Sequence, residues 1–193
     1  MDRILSGVIL AGGSASRLQG RIKSKIVIDG QTIISRILSV IGDLFAEIFI
    51  VTNTPGEFME YPGCRIIEDE ISGAGPLGGI HAAMKASSGD AVFVFAGDMP
   101  YLDKSLVEEM VRTYSICGCK ALVPSIEGSI EPLHSIYGTS LATQLEIFLS
   151  ASREMAVRDF LKTIDVHYMQ MEASENNNRI FTNINSPRDI SAG

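Results

Sequence analysis

Cysteine is scarce in this chain, with three residues in 193: Cys64, Cys117 and Cys119. The number is odd and no CxxC pair occurs. That leaves Cys117 and Cys119 too lone a pair for a four-ligand zinc site. Free thiols in a reducing compartment are the expectation. No stretch approaches the ~20 consecutive apolar residues needed to cross a bilayer. The apolar run after Asp2 and Arg3 stops at Ala11-Gly12-Gly13, too short for a secretory leader and without a small-x-small cleavage site. The expectation is a cytoplasmic, soluble protein with no membrane partner.

Basic charge is also in deficit. Lys and Arg total 16 against 23 Asp and Glu, a net charge of −7, which argues against a nucleic-acid partner. The average hides a local reversal. No acidic residue lies between Arg3 and Ile28, where Arg17, Arg21, Lys23 and Lys25 cluster. An acidic chain that gathers positive charge in one loop is suited to a compact anion there.

Several motifs are missing as well. There is no G-x-x-x-x-G-K-[ST] and no G-x-G-x-x-G, so the Walker loop and the dinucleotide fingerprint are excluded. No G-x-S-x-G appears, so a serine hydrolase elbow is unsupported.

What is present suffices for a packed core: 46% hydrophobic residues against 20% charged, in a length that favours one domain over residues 1–193. Residues 3–10 read as a buried strand and 11–25 as a Gly- and Ser-rich loop. Apolar spacing predicts a helix over 32–45, then short strands at 47–52 and 64–67 with a loop at 54–63 between them. A second glycine-rich loop covers 68–79, followed by a small-residue helix at 80–86. Ala91–Ala96 is a continuous apolar run, typical of a strand covered on both faces. Residues 103–114 read as an amphipathic helix with Asp103 as its N-cap. Later, 121–124, 135–137 and 166–171 read as strands, 141–149 and 155–163 as helices, and 172–179 as a mobile polar loop. Alternating strands and helices indicate an α/β fold with parallel strands.

In such sheets ligands bind at the carboxyl ends of the strands. That rule selects 11–25, Asn53, 68–79 and 97–100, which are also the segments with unusual chemistry. Within 10–23, glycines let backbone N–H groups approach phosphate oxygens, and Arg17 and Lys23 supply countercharge. A tight turn with a solvated basic face is the plainer alternative. Asp98, in Gly97-Asp98-Met99-Pro100, is placed to hold Mg²⁺, which binds through one or two carboxylates plus substrate phosphates; a turn aspartate before proline is the alternative. Gly75-Pro76-Leu77-Gly78-Gly79 runs into a helix whose N-terminus carries free N–H groups. His134, in Glu131-Pro132-Leu133-His134, reads as a packed structural histidine, and His81 and His167 carry no functional expectation. In Asn183-Ile184-Asn185-Ser186-Pro187, Asn185 or Ser186 is a cap for a short final helix, or the asparagine amides bind a polar ligand.

Taken in order, these segments resemble the MobA family, the molybdenum cofactor guanylyltransferases. The family pattern of LAGG-x-S-x-R-x-G with a following lysine, G-P-L-x-G, D-x-P, E-P-L-H and N-I-N-[ST]-P is followed by 10–23, 75–79, 98–100, 131–134 and 183–187, with departures only in the first, where Ala15 stands at the serine and the glycine, Gly20, comes one residue later. The resemblance implies a single Rossmann-like three-layer α/β domain with a mostly parallel central sheet, of the nucleotide-diphospho-sugar transferase type. It implies transfer of GMP from GTP to molybdenum-molybdopterin, with Mg²⁺ as cofactor and pyrophosphate released; molybdoenzymes or cofactor-insertion proteins are further partners. By the same resemblance Leu10, Ala11, Gly12, Gly13 and Lys23 contact the nucleotide, Asn53 and Asp69 sit by the guanosine, Asp98 holds the metal, Arg17, Lys23 and Asp98 are catalytic, and Asn183 and Asn185 meet the second substrate. The spacing from Arg17 to Lys23 is one residue longer than the family's, so Lys25 is a second candidate; counting back from Asp29 without a gap favours Lys23. Two alternatives stand beside this: a cytidylyl- or other nucleotidyltransferase acting on molybdopterin or a sugar or alcohol phosphate, and a non-catalytic GTP-binding partner in cofactor insertion.

Overall fold

The computed structural model describes residues 4–12, 17–18, 21–71, 73–151, 156–184 and 189, with Arg17, Leu18 and Arg21 described by their backbone alone. Strand β1 is Leu5–Leu10, and its side chains alternate between two cores: Leu5 and Ile9 on one face, Val8 and Leu10 on the other. β6 (Ile48–Val51), β7 (Arg65–Ile67) and β8 (Ala91–Ala96) lie in the same sheet. β1 pairs in parallel with β6 on one side and β8 on the other, and β6 pairs in parallel with β7. β8 repeats the alternation, with Phe93 and Phe95 facing one core and Val92 and Val94 the other. Period-2 alternation with both faces apolar is what a sheet between two helical layers requires.

The far half of the sheet is partly antiparallel. β11 (His134–Gly138) runs antiparallel between β8 and β9 (Ala121–Ile126). β9 also carries the short antiparallel β10 (Ser129–Ile130) and pairs in parallel with β12 (Val166–Met171). The tight β9–β10 connection turns through Glu127 and Gly128, both at positive φ.

Helix α1 (Ile33–Ile41) presents Ile33, Ile34, Ile37 and Ile41, an i, i+1, i+4, i+8 stripe, to the core shared with Ile9, Phe93 and Phe95. Thr32 caps it by accepting from Ser35 N at 3.2 Å. α3 (Lys104–Cys117) joins this layer through Leu106, Val107, Met110 and Tyr114, and Asp103 is its N-cap, accepting from Leu106 N at 2.9 Å. On the opposite face lie α2 (Pro76–Ala86), α4 (Ala142–Ala151) and α5 (Val157–Leu161), packed on Val8, Phe49 and Val94. The result is a three-layer α/β domain with a mostly parallel central sheet. No helix among the described residues is long and apolar enough to cross a membrane.

Five local expectations change. The segment 11–25 is not an unbroken loop: β2 (Arg17–Leu18) and β3 (Arg21–Ile22) pair antiparallel, and Lys23–Lys25 form one 3-10 turn, after which β4 (Val27–Ile28) and β5 (Gln31–Thr32) pair antiparallel. Helix α1 stops at Ile41, not at Phe45, although Phe45 is still buried. Helix α2 begins at Pro76, four residues before the apolar spacing suggested, because proline at the first turn loses no intrahelical bond. The polar stretch 172–179 contains α6 (Glu175–Ile180), started by Ser174 accepting from Asn177 N at 3.1 Å and held by Ile180 in the core. Cys117 and Cys119 are joined to each other rather than free, with Gly118 between them in the left-handed region; Cys64 is free and half-buried. The final helix expected from Pro187 begins outside the described residues.

Candidate nucleotide site

The strand ends that define the site are locked together by backbone bonds running past the regular ladder. Ala11 N donates to Val51 O at 2.9 Å, Gly97 N to Leu10 O at 3.0 Å, and Thr52 N to Ile67 O at 3.0 Å. Two glycines are needed where these chains approach. A Cβ on Gly12 would stand 3.0 Å from Thr52 Cα, and one on Gly97 would stand 2.6 Å from Leu10 O. The neighbours are backbone atoms that cannot step aside, so only glycine fits without moving a strand.

Above these ends lies a cavity of about 610 Å³. Its walls are Leu10, Ala11 and Gly12 at the end of β1, Val51 to Asn53 at the end of β6, Asp69 beyond β7, and Ala96 to Asp98 at the end of β8. Lys23, the start of α2 at Gly75 and Pro76, and Asn183 complete it. The described residues expected at the nucleotide and the second substrate therefore all line one cavity. Gly13 and Asn185 lie outside the described residues, as does the side chain of Arg17.

The cavity separates the two lysines. Lys23 Nζ donates to Asp98 Oδ2 at 3.1 Å, and the pair is mostly buried, with side-chain exposures of 10% and 24%. Lys25 turns outward instead: its Nζ meets Glu57 O at 2.6 Å and the carboxylates of Glu60 at 3.0 Å and Glu57 at 3.4 Å. The 3-10 turn causes the split, since it puts residues two apart on different sides of the chain.

Asp69 sits on the other wall. Its Oδ1 accepts from Ile71 N at 2.8 Å, and its carboxylate rests against Gly78 in the first turn of α2. Burial lifts the Asp69 carboxyl above its ordinary value, opposed by the Ile71 N–H bond and by the His81 imidazole. His81, one helical turn beyond Gly78, was not singled out from the sequence. It is 2% exposed, and neither ring nitrogen has a hydrogen-bond partner among the described residues. Only its spacing from the glycine-rich start of α2 could have pointed to it. Ser24, Thr52 and Leu133 also line the cavity without having been expected there.

His134 behaves as the packed residue the sequence suggested. It lies beneath the site, edge-on to Phe93, Phe95 and Phe181 with centroids 5.4, 5.5 and 5.3 Å away. Burial pushes its pKa from 6.5 to about 3, so the ring is neutral. Through Phe181 it seats the segment leading to Asn183. Ile184 N then donates to Asp98 O at 2.9 Å, which pins that segment to the acidic corner.

Among the described residues no group of three or more His, Cys, Asp or Glu is arranged to hold a metal ion. The Asp98 carboxylate, partly exposed at the cavity wall and paired there with Lys23, is nevertheless the kind of ligand Mg²⁺ takes, since that ion binds through one or two protein carboxylates and completes its octahedron with phosphate oxygens and water.

Residues 7–168 match the model of the MobA-like NTP transferase domain. The chain is 30% identical over 188 residues to a molybdenum cofactor guanylyltransferase of Syntrophotalea carbinolica, covering 96% of this chain and 88% of that one. It is 36% identical over 172 residues to a probable molybdenum cofactor guanylyltransferase of Peptoclostridium acidaminophilum, covering 85% and 75%. Its fold is similar to the crystal structure of molybdopterin-guanine dinucleotide biosynthesis protein A from Archaeoglobus fulgidus, with a TM-score of 0.78 at 24% identity, over 96% of this chain and 95% of that chain. With the sheet order, the cavity at its strand ends and these similarities in agreement, the chain belongs to the MobA-like NTP transferase family.

Proposed function

We propose that this chain is a Mg²⁺-dependent guanylyltransferase, which moves GMP from GTP onto the phosphate of molybdenum-bearing molybdopterin and releases pyrophosphate in the cytoplasm. The observation that carries the reading is the convergence of Leu10, Gly12, Lys23, Asn53, Asp69, Asp98 and Asn183 on one cavity, in a chain whose relatives are named for this activity.

A phosphate oxygen of molybdopterin attacks the α-phosphorus of GTP. The new P–O bond forms as the bond to the β-phosphate oxygen breaks, and pyrophosphate leaves with the electron pair. The nucleophile is already ionised, so the obstacle is repulsion between anions rather than proton removal. Most of the catalysis then falls to positioning and preorganised charge. Asp98 would hold Mg²⁺, which would supply Lewis-acid polarisation there.

The chain's own groups divide the remaining work. Gly12, with no Cβ, lets the triphosphate approach the backbone closely. Lys23 exchanges its contact with Asp98 for the phosphates, and Arg17 adds a forked donor on the same loop. Asn53 and Asp69 sit by the guanosine. Asn183 and Asn185 hold the incoming phosphate side.

The test is a screen of the purified protein with molybdopterin and each of the four nucleoside triphosphates, the dinucleotide product being identified by mass. A guanine dinucleotide formed with stoichiometric pyrophosphate is expected. A cytosine product would overturn the base assignment, and tight GTP binding without pyrophosphate release would point to the non-catalytic partner.

A further inference from the structure

We propose that the groove between α1 and α6 takes the pterin end of the second substrate, an inference that rests on the guanylyltransferase reading above. The groove has a volume of about 360 Å³. α1 lines it with Arg36, Ser39 and Val40, and α6 lines it with Asn176, Arg179 and Ile180. Both sets have i, i+3, i+4 spacing, so each comes from one helix face. Residues 100–103, the connection from the end of β8 to α3, form the floor.

The lining is arranged for a flat, hydrogen-bonding heterocycle. The Arg179 guanidinium lies over the Tyr101 ring, 4.5 Å from its centroid, and no carboxylate pairs with it among the described residues. Arg36 is fixed in the wall by Ile28 O at 2.9 Å and Asp29 Oδ2 at 2.7 Å. With the amides of Gln31 and Asn176, these guanidinium groups offer donors to a ring carbonyl and to ring nitrogens. Asp103 supplies the acceptor. Its Oδ1 caps α3 at Leu106 N, 2.9 Å away, and its second oxygen has no partner among the described residues. That oxygen can accept from an exocyclic amine or a ring N–H. Val40, Leu102 and Ile180 supply apolar contact for the ring edges. A pterin presents this combination of planarity, acceptors and donors; a sugar phosphate or a bare anion does not.

Two stretches of chain join the lining of the groove to that of the nucleotide cavity. Asp98 and Tyr101 are three residues apart and Arg179 and Asn183 four, which bounds each span at roughly 11 and 14 Å. The Ile184 N to Asp98 O bond at 2.9 Å ties the two stretches together at the acidic corner. A ligand whose phosphate stands near Asp98 and Asn183 can therefore lay its ring system in the groove.

The probe is neopterin monophosphate, a fluorescent pterin bearing a side-chain phosphate, titrated into the full chain while GTP affinity is measured in parallel by calorimetry. Two variants test the groove. Arg179→Ala removes an exposed guanidinium, and Asp103→Asn keeps a side chain able to cap α3 while removing the carboxylate. Each is expected to weaken pterin affinity tenfold or more and to raise KM for molybdopterin by a similar factor, with GTP affinity within twofold of the parent. Unchanged pterin affinity in both variants, or a loss that only parallels a loss of GTP affinity, overturns the assignment. If the parent protein makes the guanine dinucleotide while both variants keep the parental pterin affinity, the groove assignment falls and guanylyl transfer stands. If the parent transfers no guanylyl group to molybdopterin, the functional reading falls and the pterin groove falls with it.

Discussion

Replacing His134 should change how stability responds to acid. The ring is fully buried among Phe93, Phe95 and Phe181, and neither nitrogen has a partner among the described residues. Its pKa falls from 6.5 in the unfolded chain to about 3 in the fold. Between those two values the unfolded chain binds a proton that the folded chain refuses. Stability therefore drops as pH falls below 6.5, by about 1.4 kcal/mol per pH unit, and the drop stops growing once the folded ring itself titrates. At pH 5 the loss from this residue is about 2 kcal/mol, a sizeable fraction of a typical domain's 5–15 kcal/mol. His134→Leu keeps an apolar body of similar size and cannot titrate. Denaturant unfolding of both proteins at pH 7.5 and pH 5 gives the comparison. The other two histidines are common to both and cancel. The parent should lose about 2 kcal/mol more than the variant over that interval; equal losses would refute the account of His134 as a buried neutral ring.

Asp98→Asn should lower turnover by about 10²-fold or more with the fold retained, because it removes charge from the reacting corner and leaves shape intact; steady-state kinetics with circular dichroism checks both halves. Lys23→Met should raise KM for GTP and depress kcat, whereas Lys25→Met, which loses only partly exposed contacts to Glu57 and Glu60, should leave kinetics near parental and cost at most about 1 kcal/mol. A Cβ at position 97 meets the Leu10 carbonyl at 2.6 Å, so Gly97→Ala should destabilise by about 1–3 kcal/mol and weaken GTP binding together; thermal melting and calorimetry read the two effects.

The legible part of the fold was the part written in local patterns. The short apolar segments at β1 and β8 read as strands covered on both faces, and the isoleucine spacing of α1 reads as a helix with one buried stripe. Polar segments were harder. The stretch containing α6 has three consecutive asparagines and almost no apolar signal, and its helix depends on Ser174 at the cap and on Ile180 reaching the core. The Cys117–Cys119 link was missed because spacing alone does not say whether two thiols meet. The antiparallel insertion of β11 between β8 and β9 was equally invisible, since strand order is a long-range property.

The site divides along the same line. Residue chemistry and position after each strand were enough to select Gly12, Lys23, Asn53, the 68–79 loop and Asp98, because a parallel sheet brings its strand ends to one edge whatever lies between them, whereas Asp69 and Asn183 were singled out by the family resemblance. Counting back from Asp29 already favoured Lys23 over Lys25, and the 3-10 turn supplies the physical reason, sending one amine to Asp98 and the other to Glu57 and Glu60. The neutrality of His134, the placement of His81 near Asp69 and the groove beneath α6 likewise exist only once distant segments pack. Burial and the neighbouring charges, which set all three, are properties of the assembled fold and not of any stretch of chain.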